Sequence, residues 1–346
     1  MKGTKIMRRV TIKDIAEIVG VDHSTVSRAL KGRAGVSDET RQRILKVAEA
    51  LNYVPNLNAQ TLVNMESRTI GSVMTGGGSS NLVFGRLVFR LGQYAEQMGY
   101  DFLLKVGDTT NAVRALAAAR VDGLLLWISG GVVAPKEEKL MTEAKRMKLP
   151  VVMVGGTMDF GYDSVETDRK KAMDMAVKHL VGLGHRNIGY IGLHRIKAGQ
   201  RQQKLEGFLE SMHTYGLEVD KTLLLPFGGR YEDAYNAAYT IAQNPNPCTA
   251  VVCCSDIAAI GLMLGLRDCG IKVPEDMSVI GFDDIEEAKY SLVPLTSVAQ
   301  PVDDIAKSAV ELLIKRIKEK KLPPDYRPEQ LKLTPELIIR ESCGKI

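Results

Sequence analysis

From Thr69 onward, short apolar runs recur between helical stretches, and this alternation limits the chain more than any other feature. The runs are TIGSVM, DFLLKV, VDGLLLW, PVVMVG, NIGYIG, TLLLPF, TAVVCC and MSVIGF. A strand buried on both faces has no polar side to alternate, so eight such runs separated by helices predict parallel sheets covered on both faces, an α/β fold. Their spacing suggests two successive subdomains with a break near Asp163–Val165. At 346 residues the chain exceeds one ordinary core. Its 45% hydrophobic and 25% charged residues describe a globular protein, and no apolar run is long enough for a membrane span.

The first fifty-odd residues follow another rule. Thr11 with Asp14 three positions on forms a capping box, Asp22 can cap a second helix, and Ser37 can cap a third through RQRILKVAEAL. Gly20 stands where a tight turn needs a residue without a Cβ, and Ala16 is small where helices must cross. Two short helices joined by such a turn make a helix-turn-helix unit, whose second helix is built to enter a DNA major groove. That second helix, in VDHSTVSRAL, carries an apolar stripe of Val21, Val26 and Leu30, with Asp22, His23, Ser24, Thr25, Ser27 and Arg28 on its other faces. Short side chains permit close approach to DNA, and a guanidinium can bond guanine O6 and N7 together. The formal charge of +5 is concentrated here: residues 1–46 hold five Lys and six Arg against Asp14, Glu17, Asp22, Asp38 and Glu39. Such a basic end suits a polyanion.

After Pro55, NLNAQTLVNMESR is too polar to fold alone. The five cysteines lack CxxC spacing and read as reduced core residues. The opening residues are amphipathic rather than signal-like, so a cytoplasmic location is expected.

VTIKDIAEIVGVDHSTVSRALKGRAGVSDETRQRILKVAEALNYVPN strongly resembles the DNA-binding headpiece of the LacI family of bacterial transcription regulators. LGHRNIGYIG, LEGF, the SD of CCSDIAAIGL, KVPEDMSVIGFDD and PLTSVAQP match in family order, so the resemblance spans nearly the whole chain. It implies a helix-turn-helix headpiece over residues 1–55, a hinge over 56–67, and a periplasmic-binding-protein-like effector domain over 68–346. The two α/β subdomains of that domain would comprise about 68–164 with 299–330, and 165–298 with 331–346. It implies that His23, Ser24 and Arg28 read bases, with Thr11, Thr25, Ser27 and Thr40 contributing further DNA contacts. Asp22 departs from the family, because a carboxylate cannot accept a phosphate; it is better read as a cap. In the hinge, Leu62 matches the apolar wedge that enters the minor groove, with Asn56 and Ala59 beside it. Gln60, Thr61, Val63 and Asn64 replace the basic residues that many relatives carry there.

The resemblance also places Asn81, Phe84, Trp127, Lys204, Ser255, Asp283 and Gln300 around an effector cleft beyond the carboxyl ends of the strands. Trp127 either stacks on a sugar ring or fills the core. Asp283 suits two sugar hydroxyls, and Asp284 reads as its structural neighbour. Many relatives carry Asp and Arg where this chain has Gly155 and Lys204, and Gly229 stands where an aromatic is common. A cleft that loses a carboxylate and keeps a cation favours a sugar acid or sugar phosphate over a neutral monosaccharide or its glycoside, unless Lys204 only pairs with Glu206 or another surface acid.

TGGGSSN is not a phosphate loop, His185 lacks a second ligand at metal spacing, and no GxSxG elbow occurs. The expectation is a non-enzymatic, homodimeric repressor without cofactor or metal, binding a pseudo-palindromic double-stranded operator and a small carbohydrate-like effector. The alternative is a sugar-binding protein or enzyme on the same scaffold.

Overall fold

A computed structural model describes residues 10–53, 67–75, 82–107, 109–128, 135–155, 161–193, 199–319 and 326–346. The contacts divide the chain into two units, Met1–Ser67 and Arg68–Ile346.

In the first unit, α1 (Ile12–Val19), α2 (His23–Leu30) and α3 (Asp38–Ala50) enclose Ile15, Val19, Val26 and Ile44. Each helix begins where a short polar side chain occupies its first backbone donors. The Asp14 carboxylate accepts the Thr11 N–H at 2.7 Å and its hydroxyl at 2.8 Å. Asp22 accepts from the Ser24 N–H at 2.8 Å, and Ser37 from the Thr40 N–H at 3.3 Å. Gly20 turns the chain at φ 75°, a left-handed conformation that costs glycine little, and its N–H closes on Ala16 O at 2.9 Å. Ala16 is buried at the crossing of α1 with its neighbours.

In the second unit, β1 (Thr69–Thr75), α4 (Leu82–Gln97), β2 (Asp101–Val106), α5 (Thr109–Ala118), β3 (Gly123–Ile128), α6 (Pro135–Met147), β4 (Val151–Val154) and β5 (Asp163–Thr167) come first. There follow α7 (Arg169–Gly182), β6 (Ile188–Leu193), α8 (Gly199–Thr214), β7 (Leu224–Pro226), α9 (Tyr231–Ala242), β8 (Ala250–Cys253), α10 (Asp256–Asp268), β9 (Ser278–Asp283), α11 (Glu286–Lys289) and β10 (Thr296–Ala299). The chain then runs through α12 (Val302–Glu319), β11 (Gln330–Leu333) and β12 (Glu336–Ile338).

One sheet has the order β11-β5-β4-β3-β1-β2 and is parallel throughout. The other, β12-β10-β9-β8-β6-β7, is parallel except where β12 joins β10. Both begin on an inner strand, add one neighbour and then wind the other way, which leaves a crevice beyond the carboxyl ends. The first sheet is covered by apolar clusters on both faces, from α4 and α12 on one and α5 and α6 on the other. The second packs against α7 to α10. At Gly261 and Gly265 in α10 a Cβ would collide with the carbonyls of Tyr231 and Tyr235 in α9, so these two helices approach backbone to backbone.

All eight apolar runs are strands, but the expected subdomain boundaries shift. β5 pairs with β4 and β11 with β5, so Val165–Thr167 and Leu331–Leu333 belong to the first half, not the second. Ala299 pairs with Asp283 in the second. The crossovers therefore fall at Asp168, Gln300 and Thr334–Pro335. A buried pair ties the first half together: Arg316 Nε and Nη2 reach the Asp163 carboxylate at 2.6 and 3.2 Å, with Tyr326 Oη donating at 2.6 Å and the Glu329 N–H at 2.7 Å. Burial pushes the Asp163 carboxyl up, and these four bonds outweigh it, leaving it below its usual range.

Candidate nucleic-acid interface and ligand cleft

On α2, Val26 and Ala29 turn inward while His23, Ser24 and Arg28 are exposed and Thr25 and Ser27 half-buried. Ser24 and Arg28 are four residues apart, as are His23 and Ser27, so each pair shares a helix face. α2 thus presents an imidazole and a hydroxyl at its start and a guanidinium in its last turn to solvent. Thr11 is engaged as the α1 cap, and Thr40 Oγ1 accepts from Ser37 Oγ at 2.8 Å. The expected hinge contacts Asn56, Ala59 and Leu62 lie outside the described residues, as does Asn81 of the expected cleft.

The remaining cleft residues fall into two groups. In the first half, Trp127 at the end of β3 is 6% exposed and stacks on Phe84 of α4 with centroids 4.7 Å apart. The indole belongs to the apolar cluster of that half, and Val83 beside Phe84 packs on the clusters of both halves. In the second half, Lys204, Asp283 and Gln300 meet. Lys204 is 7% exposed; its Nζ donates to Cys254 O at 2.7 Å and lies 3.8 Å from the centroid of the Phe282 ring. It does not pair with Glu206, which receives Gln202 Nε2 at 3.1 Å and lies 3.9 Å from Lys170 Nζ. Ser255, next to Cys254, caps α10 by accepting the Ala258 N–H at 3.3 Å.

Asp283 and Asp284 have φ of 124° and 52°, a left-handed excursion rare outside glycine. Their loop is fastened from behind: Ser297 Oγ accepts the Asp284 N–H at 3.1 Å, Asp256 the Ile285 N–H at 2.8 Å, and Arg340 donates to the Asp284 carboxylate at 2.7 Å. Asp284 is thus the structural partner and Asp283 the one turned to the polar cluster. Gln300 Nε2 donates to Asp283 Oδ1 at 2.7 Å while its Oε1 accepts from Thr167 Oγ1 at 2.8 Å, so one amide bridges the two halves. Burial raises the Asp283 carboxyl above its usual range despite Lys204, Gln300 and Arg169. Buried Asp256 is pushed up to about 7 by burial and then by Asp283.

Arg169 was not among the expected residues. It is 3% exposed and donates from Nη1 to Glu166 at 3.0 Å and from Nη2 to Gly155 O at 3.3 Å, while its buried Nε has no acceptor among the described residues. The sequence holds a signal for it: a cation at the first position of a helix opposes the helix dipole and needs a separate reason to be there. Beside the cluster's two cations stand two carboxylates, Glu166 and Asp283, so it is closer to neutral than the loss of an acid at Gly155 implies. Arg230 faces Glu232 and Asp233 at the start of α9.

His185 is a core residue, with Nδ1 2.9 Å from Thr249 Oγ1 and Nε2 2.9 Å from Ser278 Oγ. Among the described residues no group of His, Cys, Asp and Glu is arranged to hold a metal, and no helix is long and apolar enough to cross a membrane.

Residues 11–56 match the model for bacterial regulatory proteins of the lacI family, and residues 177–343 that for a periplasmic binding protein-like domain. The HTH-type transcriptional repressor PurR of Vibrio vulnificus (strain CMCP6) is 32% identical over 342 residues, covering 97% of this chain and 99% of the relative. Among solved structures, the Lac repressor dimer bound to operator and the anti-inducer ONPF superposes with a TM-score of 0.86 at 22% identity, covering 97% of this chain and all of that one. The transcriptional regulator CelR in complex with cellobiose gives 0.69 at 27% identity, covering 96% of this chain and all of that one.

Proposed function

Because the chain belongs to the lacI family of bacterial regulatory proteins, we propose that it acts as a homodimeric, non-enzymatic repressor in the bacterial cytoplasm, releasing or holding a pseudo-palindromic operator according to a ligand in its cleft. The observation that carries the DNA half is the exposed face of α2, where His23, Ser24 and Arg28 stand opposite a buried apolar stripe. We assign residues 1–55 to the headpiece, 56–67 to the hinge and the rest to the effector domain. The exposed Tyr290, Leu292 and Ile339 suit the face a second copy would cover. A mobility-shift assay with fragments from around the gene tests the reading: a shifted fragment with a dyad-symmetric footprint supports it, and none shifted sinks it.

The effector is a small carbohydrate-like molecule. Asp283 supplies an acceptor for hydroxyls, Lys204 and Gln300 supply donors, and the CelR relative has a carbohydrate in its complex. A sugar acid or sugar phosphate is the favoured variant, because the Arg169 Nε lacks an acceptor among the described residues. Calorimetry with matched neutral and anionic sugars, repeated on Lys204→Met and Asp283→Ala, decides. Either substitution is expected to weaken binding by about 1–3 kcal/mol, the cost of a buried partner left unpaired. Neutral-sugar binding that survives Lys204→Met would exclude the anionic variant.

A further inference from the structure

Asp22 occupies a place where the resemblance puts a phosphate contact, yet a carboxylate repels phosphate. The structure gives it two other occupations. Oδ1 accepts the Ser24 N–H at 2.8 Å and so closes the first turn of α2, while Oδ2 lies 3.4 Å from Nδ1 of His23. The two side chains are 63% and 58% exposed, so the contact adds little stability. Its consequence is chemical. The bonds from Ser24, and then His23, hold the Asp22 carboxyl below its usual range, so it stays an anion wherever the protein works.

A neutral imidazole carries its proton on one nitrogen and a lone pair on the other, and the partner of the first decides which. An anion beside Nδ1 draws the proton there and leaves Nε2, on the far side of the ring, as an acceptor. In the major groove an acceptor meets the amino groups of adenine N6 or cytosine N4, whereas a donor meets guanine O6 and N7, thymine O4 or adenine N7, so cytosine is the base that only an acceptor can read.

We propose that Asp22 is a positioning residue for base recognition: it fixes His23 in the tautomer whose Nε2 accepts, so that His23 selects an adenine or cytosine amino group. This rests on reading α2 as the helix that enters the groove. His23 begins that helix and is exposed there. The cap alone does not explain an acid at this position, since Ser or Asn caps a helix as well as Asp does.

The test uses the full chain and operators in which each half-site base pair is replaced in turn, titrated at fixed salt and at pH 8, where an ordinary imidazole is neutral. His23→Ala should erase discrimination at one position, where the unaltered protein prefers adenine or cytosine by roughly three- to tenfold, the value of one net hydrogen bond. Asp22→Asn keeps the cap and turns an amide N–H toward Nδ1, which moves the ring proton to Nε2, so cytosine should lose its advantage at that position and guanine or thymine should gain one, while adenine can still be met through N7. Asp22→Ser keeps the cap and frees the tautomer, so the preference there should flatten while the others stand. A merely structural role for Asp22 would weaken every position alike. The proposal is overturned if the unaltered protein prefers guanine or thymine there, if both Asp22 variants keep its preference, or if His23→Ala alters no position.

Discussion

Among the described residues, those assigned to DNA stand mostly on one eight-residue helix, whose buried side packs into a cluster of small-to-medium apolar side chains. Those assigned to the ligand are drawn from distant stretches of a much larger unit, and one of them, Gln300, is held by Thr167 across 133 positions of chain. The headpiece keeps its polar groups outside and relies on a thin core; the body buries charge and relies on partners for it. A functional face made of local neighbours can change without disturbing the fold, whereas a polar cluster gathered from remote segments is part of what holds its fold together.

Four measurements press on this contrast. Ile44→Asp puts an unpaired carboxylate into a core of a few residues at a cost of several kcal/mol, more than a unit of this size can spare. Operator binding should vanish while effector affinity and the main melting transition persist; a parallel loss of effector binding would show that the two units do not fold independently. Arg316→Met should lower the stability of the body by about 3–5 kcal/mol, because it strands Asp163 in the interior, and leave headpiece helicity unchanged. A shift under 1 kcal/mol would mean that buried charge is not structural there.

The third measurement is a pH profile. Asp256 is raised in the folded body to about 7, so it favours folding fully below its unfolded value near 4 and loses that contribution as pH rises through 7. The body should melt higher at pH 5 than at pH 8, and Asp256→Asn should remove most of that difference, on the order of 3 kcal/mol. Asp283 is raised as well and adds to the slope, while His179 and His185, held below their ordinary value by burial, oppose it. The smallest effect is expected on the outside: Arg28→Ala should cost specific operator binding about 1–3 kcal/mol with little change on random DNA. Equal loss on both would make Arg28 a phosphate clamp.

What was legible in the sequence follows the same division. The caps at Asp14, Asp22 and Ser37 could be read because each bond spans two or three residues, and the eight apolar strands because their runs hold few polar side chains, even in β2 and β7, which lie at sheet edges and are only partly buried. β5, β10 and β11 escaped that criterion: Asp163, Glu166 and Thr167 break the first, Thr296 and Ser297 the second, and β11 alternates as an edge strand. For Lys204 the sequence offered Glu206, two positions on, but residues two apart do not face each other on a helix. Its actual neighbours, Cys254 and Phe282, lie on strand ends that only the fold brings near. Trp127 was left between core and ligand, and it is found stacked on Phe84 within an apolar cluster.

The edge strands β11 and β12 carry a consequence for biosynthesis. The three described helices of the headpiece are complete once Ala50 has been made, and domains can fold in that order as a chain emerges. Neither sheet of the body has this freedom, because each receives its last strand from the stretch after Glu329. While a ribosome is still reading the codons for that stretch, both halves carry an open edge, the kind of exposed ladder that invites pairing with another chain. A nascent body is therefore most exposed to misassembly until residues 330–338 have emerged, and a chain halted before them would hold its three headpiece helices while both sheets of the body still lacked an edge strand.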